Sequence, residues 1–85
     1  MIRDSAQYSC FANIIERESR WNPRARNHSG AYGIPQALPG RRMASAGPDW
    51  RTNPRTQIRW GIHYMDHRYG SPCRAWAHWR RHRNY

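Results

Sequence analysis

Apolar residues recur at helical spacing in three stretches of this chain, and a long stretch without such a period separates the first two. Tyr8, Phe11, Ile14 and Ile15 fall on one stripe, as a repeat of about 3.6 residues requires. Asp4 or Ser5 can cap a helix there. The spacing predicts that it runs to about Arg20, where Trp21-Asn22-Pro23 ends it, because a residue before proline avoids the α region. Ile58, Ile62, Met65 and Tyr69 mark the buried face of a second helix. It opens at Asn53-Pro54, a capping residue followed by proline at the first helical position, and closes at Gly70. Ser71-Pro72 repeats the start signal for a third helix carrying Cys73, Trp76 and Trp79. Residues 22–53 read mostly as loop, and the runs IPQAL and RRMASAG each predict a short helical turn. No alternating strand pattern competes. The expectation is a mainly α fold, about three main helices with a long Gly/Pro-rich loop, as one domain over residues 1–85.

Composition narrows this further. A chain of 85 residues buries only a modest core and needs help to stay folded. Five Trp, five Tyr and one Phe give that core bulk. Cys10 and Cys73 are the only cysteines. Joined, they would close a loop of about sixty residues, stabilise the fold by about 2–4 kcal/mol and imply an oxidising compartment. Left apart, they are two buried thiols. The expectation is a Cys10–Cys73 bridge. The basic residues are all arginine, and the net charge is +10, which concentrates polyanions such as nucleic acid, anionic membrane or acidic wall polymers. The start MIRDSAQYSC is polar, with no signal peptide and no membrane span legible. The expectation is export by an unusual route, a chain cut from something longer, or one carried on another particle.

Only Asp4, Glu16, Glu18, Asp49 and Asp66 are acidic. At about 100° per residue Glu16 and Glu18 cannot share a helix face. Glu18 follows Phe11, Ile14 and Ile15 at spacings that place it inside the apolar stripe. Glu16 points away, where it can pair with Arg20 at i, i+4. Desolvation of an inward carboxylate raises its pKa, and an acid still protonated near neutral pH is what general acid catalysis needs. The alternative is a Glu18 salt-bridged to Arg17 or Arg20. On the helix pattern alone the two readings stand level.

The stretch ESRWNPRARNHSGAYGIPQALPG closely resembles the signature of lytic transglycosylases of the soluble, goose-type lysozyme-like family. That signature runs from Glu-Ser through a Trp-Asn-Pro turn to a Gly-Ala-x-Gly-Leu-Met-Gln element, and its spacing is kept. The continuation MASAGPDWRTNPRTQIRWGIHYMDHRYGSPCRAW is similar to a compact branch found in secreted cell-wall and phage tail proteins. The resemblance implies a lysozyme-like helical domain that cuts peptidoglycan at the MurNAc–GlcNAc bond, with Glu18 as the one acid/base. It implies that Ser19 fixes the helix end and Asn27 hydrogen-bonds the carboxyl. Gly30 and Gly33 would let backbone approach the sugar, and Gln36 would contact substrate. Tyr32 and Trp76 join these as substrate-binding candidates, Tyr32 being the ring expected to line the groove. Two departures stand out. Pro35 replaces the Met of Leu-Met-Gln, and Ala75-Trp76-Ala77 replaces an Ala-Tyr-Asn element whose hydroxyl lies near the carboxyl in relatives. Unless Tyr32 substitutes, that site lacks a polar partner. The implied partners are glycan strands, with no cofactor and no metal. The implied setting is extracellular, at the cell wall or on a phage virion, as a monomer or one domain of a larger protein.

Other readings rank lower. Arg80, Arg81 and Arg83 could touch phosphates, but a solvated basic tail is the simpler account, and no specific nucleic acid is expected. His63 and His67, and His78 and His82, stand at i, i+4, a spacing that serves zinc when a third ligand converges; a Cys10–Cys73 bridge removes the nearest thiol. A module that holds glycan without cutting it is the remaining alternative, made credible by the lost tyrosine.

Overall fold

The computed structural model describes residues 2–83, and the helices begin and end on the residues that local chemistry singles out. Helix α1 spans Ser5–Glu18. Asp4 caps it, its carboxylate accepting from the amides of Ala6 and Gln7 at 2.9 and 3.0 Å. A 3-10 helix covers Gly40–Ala46, matching the expected turn at RRMASAG. Helix α2 spans Pro54–Tyr69, with Asn53 as N-cap and Gly70 closing it in a left-handed conformation at φ 95°. Helix α3 spans Pro72–His82, with the Ser71 hydroxyl accepting from the Arg74 amide. Strand content among the described residues is limited to two isolated antiparallel bridges, Arg26 with Tyr32 and Tyr32 with Ala37.

Four details differ from the pattern. Helix α1 stops at Glu18 rather than Arg20, and Arg20 and Trp21 take positive φ of 55° and 63°. The i, i+4 geometry expected for Glu16 and Arg20 therefore does not exist. Tyr8 is 52% exposed, while Phe11, Ile14 and Ile15 are buried, so the stripe starts one turn later. The run IPQAL forms no helical turn. Residues 33–36 instead make the tight turn between the bridged Tyr32 and Ala37, closed by the Gln36 amide donating to the Gly33 carbonyl at 3.0 Å. The buried face of α2 is Thr56, Gln57, Trp60, Gly61 and Met65. Ile58 and Ile62 lie beside it, half-buried. The reason is polar: Gln57 has loop groups to satisfy that an isoleucine cannot, as the site shows below.

Two apolar clusters result. Phe11, Ile14 and Ile15 of α1 meet Ile34, Met65 of α2 and Ala75 of α3. Ala37 and Met43 meet Trp60, and Tyr64 packs against both groups. Each large buried side chain stabilises by about 1.5–3 kcal/mol. Pro35 is fully buried and fits against Gly61, where a Cβ would stand 3.2 Å from the proline ring. That contact explains how proline is accommodated at this turn. Cys10 and Cys73 are disulfide-bonded, with Cα atoms 4.9 Å apart. Cys10 lies within α1, and the Gln7 side chain accepts from the Cys73 amide at 3.0 Å. The α1–α3 seam is thus fixed covalently and by a cap.

Candidate active site

Glu18 is the last residue of α1, and its neighbours come from the helix end and from α3. The helix ends there because Ser19 turns inward. Ser19 is buried, and its hydroxyl donates to the Ile34 carbonyl at 2.6 Å while accepting from the Trp21 amide at 3.2 Å. One hydroxyl therefore ties the helix end to the loop. The Glu18 carboxyl is left half-buried. Its Oε1 accepts from the Trp79 indole N–H at 3.0 Å; Oε2 has no hydrogen-bond partner among the described residues. Burial pushes the carboxyl above the usual glutamate range, and the indole bond offsets part of that rise, because desolvation disfavours the carboxylate and a donor favours it.

Neither neighbouring arginine neutralises it. The Arg17 guanidinium donates to the Asn13 carbonyl at 2.9 Å and lies over the Trp76 and Trp79 rings at 4.9 and 5.9 Å. Arg20 has left the helix. The salt-bridge alternative is thereby displaced by an inward, indole-held acid. An open depression of about 540 Å³, lined by Glu16, Arg17, Arg20 and Trp79, borders this end of α1.

The remaining candidates fall into separate places. Asn27 forms a local turn, its Oδ1 accepting from the Ser29 and Ala31 amides at 2.9 and 3.0 Å; no hydrogen bond joins it to Glu18 among the described residues. Asn27, Gly30 and Tyr32 line a cleft of about 480 Å³ with Trp50 and several basic residues. The Tyr32 hydroxyl donates to the Arg51 carbonyl at 2.6 Å, so it does not stand in for the missing tyrosine. Gly33 has φ 82°, and a Cβ there would approach Gln57 Oε1 to 2.8 Å; glycine is required on both counts. The Gln36 side-chain Nε2 donates to the carbonyls of Ala25 and Gly33 at 3.0 and 2.9 Å. Its nitrogen thus shapes the turn, and the residue also lines a smaller cleft with Arg42, Trp60 and Tyr64. Trp76 stacks on Trp79 at 5.5 Å between ring centroids and packs against the first core cluster.

Two residues that organise the site were not singled out in the sequence. Trp79 supplies the polar contact that Trp76 does not. Gln57 is fully buried; its Oε1 accepts from the Ile34 amide at 2.8 Å, and its Nε2 donates to the carbonyls of Pro23 and Trp50 at 3.0 and 2.8 Å. One side chain thus joins three points of the loop. The signal for it was the competing helical repeat Gln57, Trp60, Gly61, Tyr64. The histidine pairs His63–His67 and His78–His82 have ring centroids 4.3 Å apart, and no group of three or more His, Cys, Asp or Glu side chains suited to a metal occurs among the described residues. No helix among them is long and apolar enough to cross a membrane.

Fold and site together define a small, disulfide-bridged helical structure that presents a half-buried carboxyl, held by an indole at the end of α1, beside an open depression. Residues 2–79 match the family model for the transglycosylase SLT domain, and the chain belongs to that family, whose members are glycan-cleaving lytic transglycosylases acting on the peptidoglycan of the cell wall. No curated protein and no solved structure matches the chain.

Proposed function

We propose that this chain is a peptidoglycan lytic transglycosylase that cuts the β-1,4 bond between N-acetylmuramic acid and N-acetylglucosamine, with Glu18 as its single acid/base. The observation that carries the reading is the state of Glu18: half-buried, bound by an indole instead of a guanidinium, and held above the usual carboxylate range.

Most glycosidases use two carboxylates. Asp49, the one candidate in the loop, accepts from the Thr56 hydroxyl and the Asn53 amide, both at 2.7 Å. Those bonds hold its carboxyl below the usual range and give it a structural task at the start of α2. A transglycosylase needs no second carboxylate. Glu18 first protonates the glycosidic oxygen, and the bond to the anomeric carbon breaks. The acetamido oxygen of the muramyl sugar meets the charge that develops there. Glu18, now ionised and steadied by the Trp79 N–H, takes the proton from the C6 hydroxyl of the same sugar. That oxygen closes on the anomeric carbon, leaving a 1,6-anhydro end and Glu18 protonated again. An internal nucleophile supplies its own effective concentration, so no activated water is required. Burial suits the acid step and the indole donor suits the base step, so the two opposed influences on one carboxyl serve the two halves of the cycle.

Asn27, Gly30, Tyr32, Gly33, Gln36 and Trp76 remain the proposed substrate-contacting set, with residues 1–85 acting as one domain on wall glycan outside the cytoplasm, in a secreted protein or a phage virion. Purified peptidoglycan incubated with the protein should release anhydro-muropeptides detectable by mass spectrometry, and Glu18→Gln should lower the rate by about a hundredfold or more. A second reading, a module that binds glycan without cutting it, is favoured by Ala75-Trp76-Ala77 and by the engagement of the Tyr32 hydroxyl with Arg51. Glycan binding with no anhydro product from the unmodified protein would establish that reading instead.

A further inference from the structure

The cleft of about 480 Å³ gathers Arg26, Arg41, Arg51 and His28 around the rings of Tyr32 and Trp50, and no acidic residue lines it. Its cations come from three separate segments: the loop after α1, the 3-10 helix and the turn before α2. The frame is rigid. Tyr32 bridges Arg26 and Ala37 through its backbone, anchors its hydroxyl on the Arg51 carbonyl and meets Trp50 edge-on at 5.9 Å. Gly40 packs so closely that a Cβ would stand 2.7 Å from the Tyr32 Cβ. The guanidiniums of Arg26 and Arg51 lie over the Tyr32 and Trp50 rings at 5.2 and 4.9 Å, an arrangement that restrains a long side chain without using its N–H edge.

Donors outnumber side-chain acceptors in this cleft, where three guanidiniums stand against the Tyr32 hydroxyl, the His28 ring and Asn27. Asn27 Oδ1 takes two backbone amides, and the Asp49 carboxylate, next in sequence to Trp50, is bound to Thr56 and Asn53. Donors remain, and guanidinium can only donate. A neutral sugar presents hydroxyls that need both donors and acceptors, whereas a carboxylate only accepts. A concave wall of one charge sign also focuses its field on an anion.

We infer that this cleft binds the carboxylates of the peptide stems that hang from peptidoglycan glycan strands. The inference rests on the peptidoglycan reading above, and it adds that stems, as well as sugars, are recognised. It does not depend on Glu18 being the catalytic group.

The test is a binding titration, by calorimetry, with disaccharide-peptide monomers and with the same disaccharide stripped of its peptide and capped as a neutral methylamide on its lactyl carboxyl. Because neither probe needs to be cut, absence of turnover leaves the result readable. The stemmed probe should bind at least about tenfold more tightly than the stripped one at low salt. R41A/R51A should lower that affinity by about tenfold, while R3A/R55A, which removes the same charge elsewhere, should change it by less than about twofold. Equal affinity for stemmed and stripped probes, or equal loss in the two arginine pairs, overturns the proposal. So does a phosphodiester wall polymer that displaces the stemmed probe from the unmodified protein while R41A/R51A still binds that probe normally.

Discussion

Beside Glu18 stand an indole and an open depression with arginines on its rim; around Gly33, a little further along the chain, the neighbours are amides and carbonyls. The first region is made by helices. Phe11, Ile14 and Ile15 pack against α2 and α3, the disulfide fixes α1 to α3, and Trp79 reaches the carboxyl across that seam. The second region has almost no regular structure, and Gln57, Ser19, Tyr32 and Gln36 hold it through hydrogen bonds to backbone. Apolar packing is spread over many contacts and tolerates small changes. A buried amide network concentrates the loss in single residues. The acid end should therefore bend under substitution, and the loop should break.

Gln57→Ala is the largest test of that difference. It leaves the Ile34 amide and the carbonyls of Pro23 and Trp50 without their partner and opens a cavity at a fully buried position. Each buried group left unsatisfied costs about 1–3 kcal/mol, and water entering the gap recovers part of it. A loss of about 3–5 kcal/mol in thermal unfolding is expected. A loss under about 1 kcal/mol would mean that the loop is held by something else.

Removal of the disulfide ranks next. Cys10→Ser with Cys73→Ser should cost about 2–4 kcal/mol, read from the melting temperature and compared with the reduced unmodified protein. The Gln7–Cys73 cap and the apolar seam remain, so activity at low temperature should persist. Reduced protein that melts like oxidised protein would contradict the role assigned to the bridge.

Trp79→Phe probes the acid itself. It keeps most of the ring and removes the N–H that favours the carboxylate. With burial unopposed, the Glu18 pKa rises further. Activity that requires the protonated acid fades as pH climbs through that value, so the alkaline limb of the rate–pH profile should move to higher pH, with a rate loss of about tenfold at the optimum. Stability follows the same sign. The native state holds this proton more tightly than the unfolded chain, so its stability declines as pH rises from the ordinary glutamate value to the raised one. Glu18→Gln should lack that slope. An unmoved alkaline limb in Trp79→Phe would show that the indole only packs.

The two regions were also unequally legible in the sequence. Asn53-Pro54, Gly70 and Ser71-Pro72 act through their own backbone, so both ends of α2 and the start of α3 could be read from a few residues each. The inward aim of Glu18 followed from its offset to Phe11, Ile14 and Ile15. Its partner did not, because Trp79 is 61 residues away. The bridge could have pointed to it: counted from Cys10, Glu18 is about 12 Å along α1, and counted from Cys73, Trp79 is about 9 Å along α3, with the two helices running the same way. On α2 two repeats overlap, and apolarity favoured Ile58 and Ile62 over the face that carries Gln57. A glutamine is buried there because the irregular loop leaves backbone groups that must be paired, and no periodicity records which loop groups those are. The same limit explains IPQAL, whose conformation is set by Gln36, Gln57 and Gly33 together.

The smallest expected effect comes from the other glutamate of α1, and it is informative because almost nothing should happen. Glu16 lies two positions from Glu18 and is exposed, on the side of the helix that faces solvent and the open depression beside Arg17 and Arg20. An exposed carboxylate near surface arginines contributes about 0–1 kcal/mol at most, and Arg20 has left the helix on which it could have paired with Glu16. Glu16→Gln should therefore melt within about 0.5 kcal/mol of the unmodified protein and keep both limbs of the rate–pH profile. A shifted limb in this variant would mean that the two carboxyls sense each other. Catalysis would then rest on a pair, and the one-carboxylate mechanism would have to give way to a hydrolytic scheme with two.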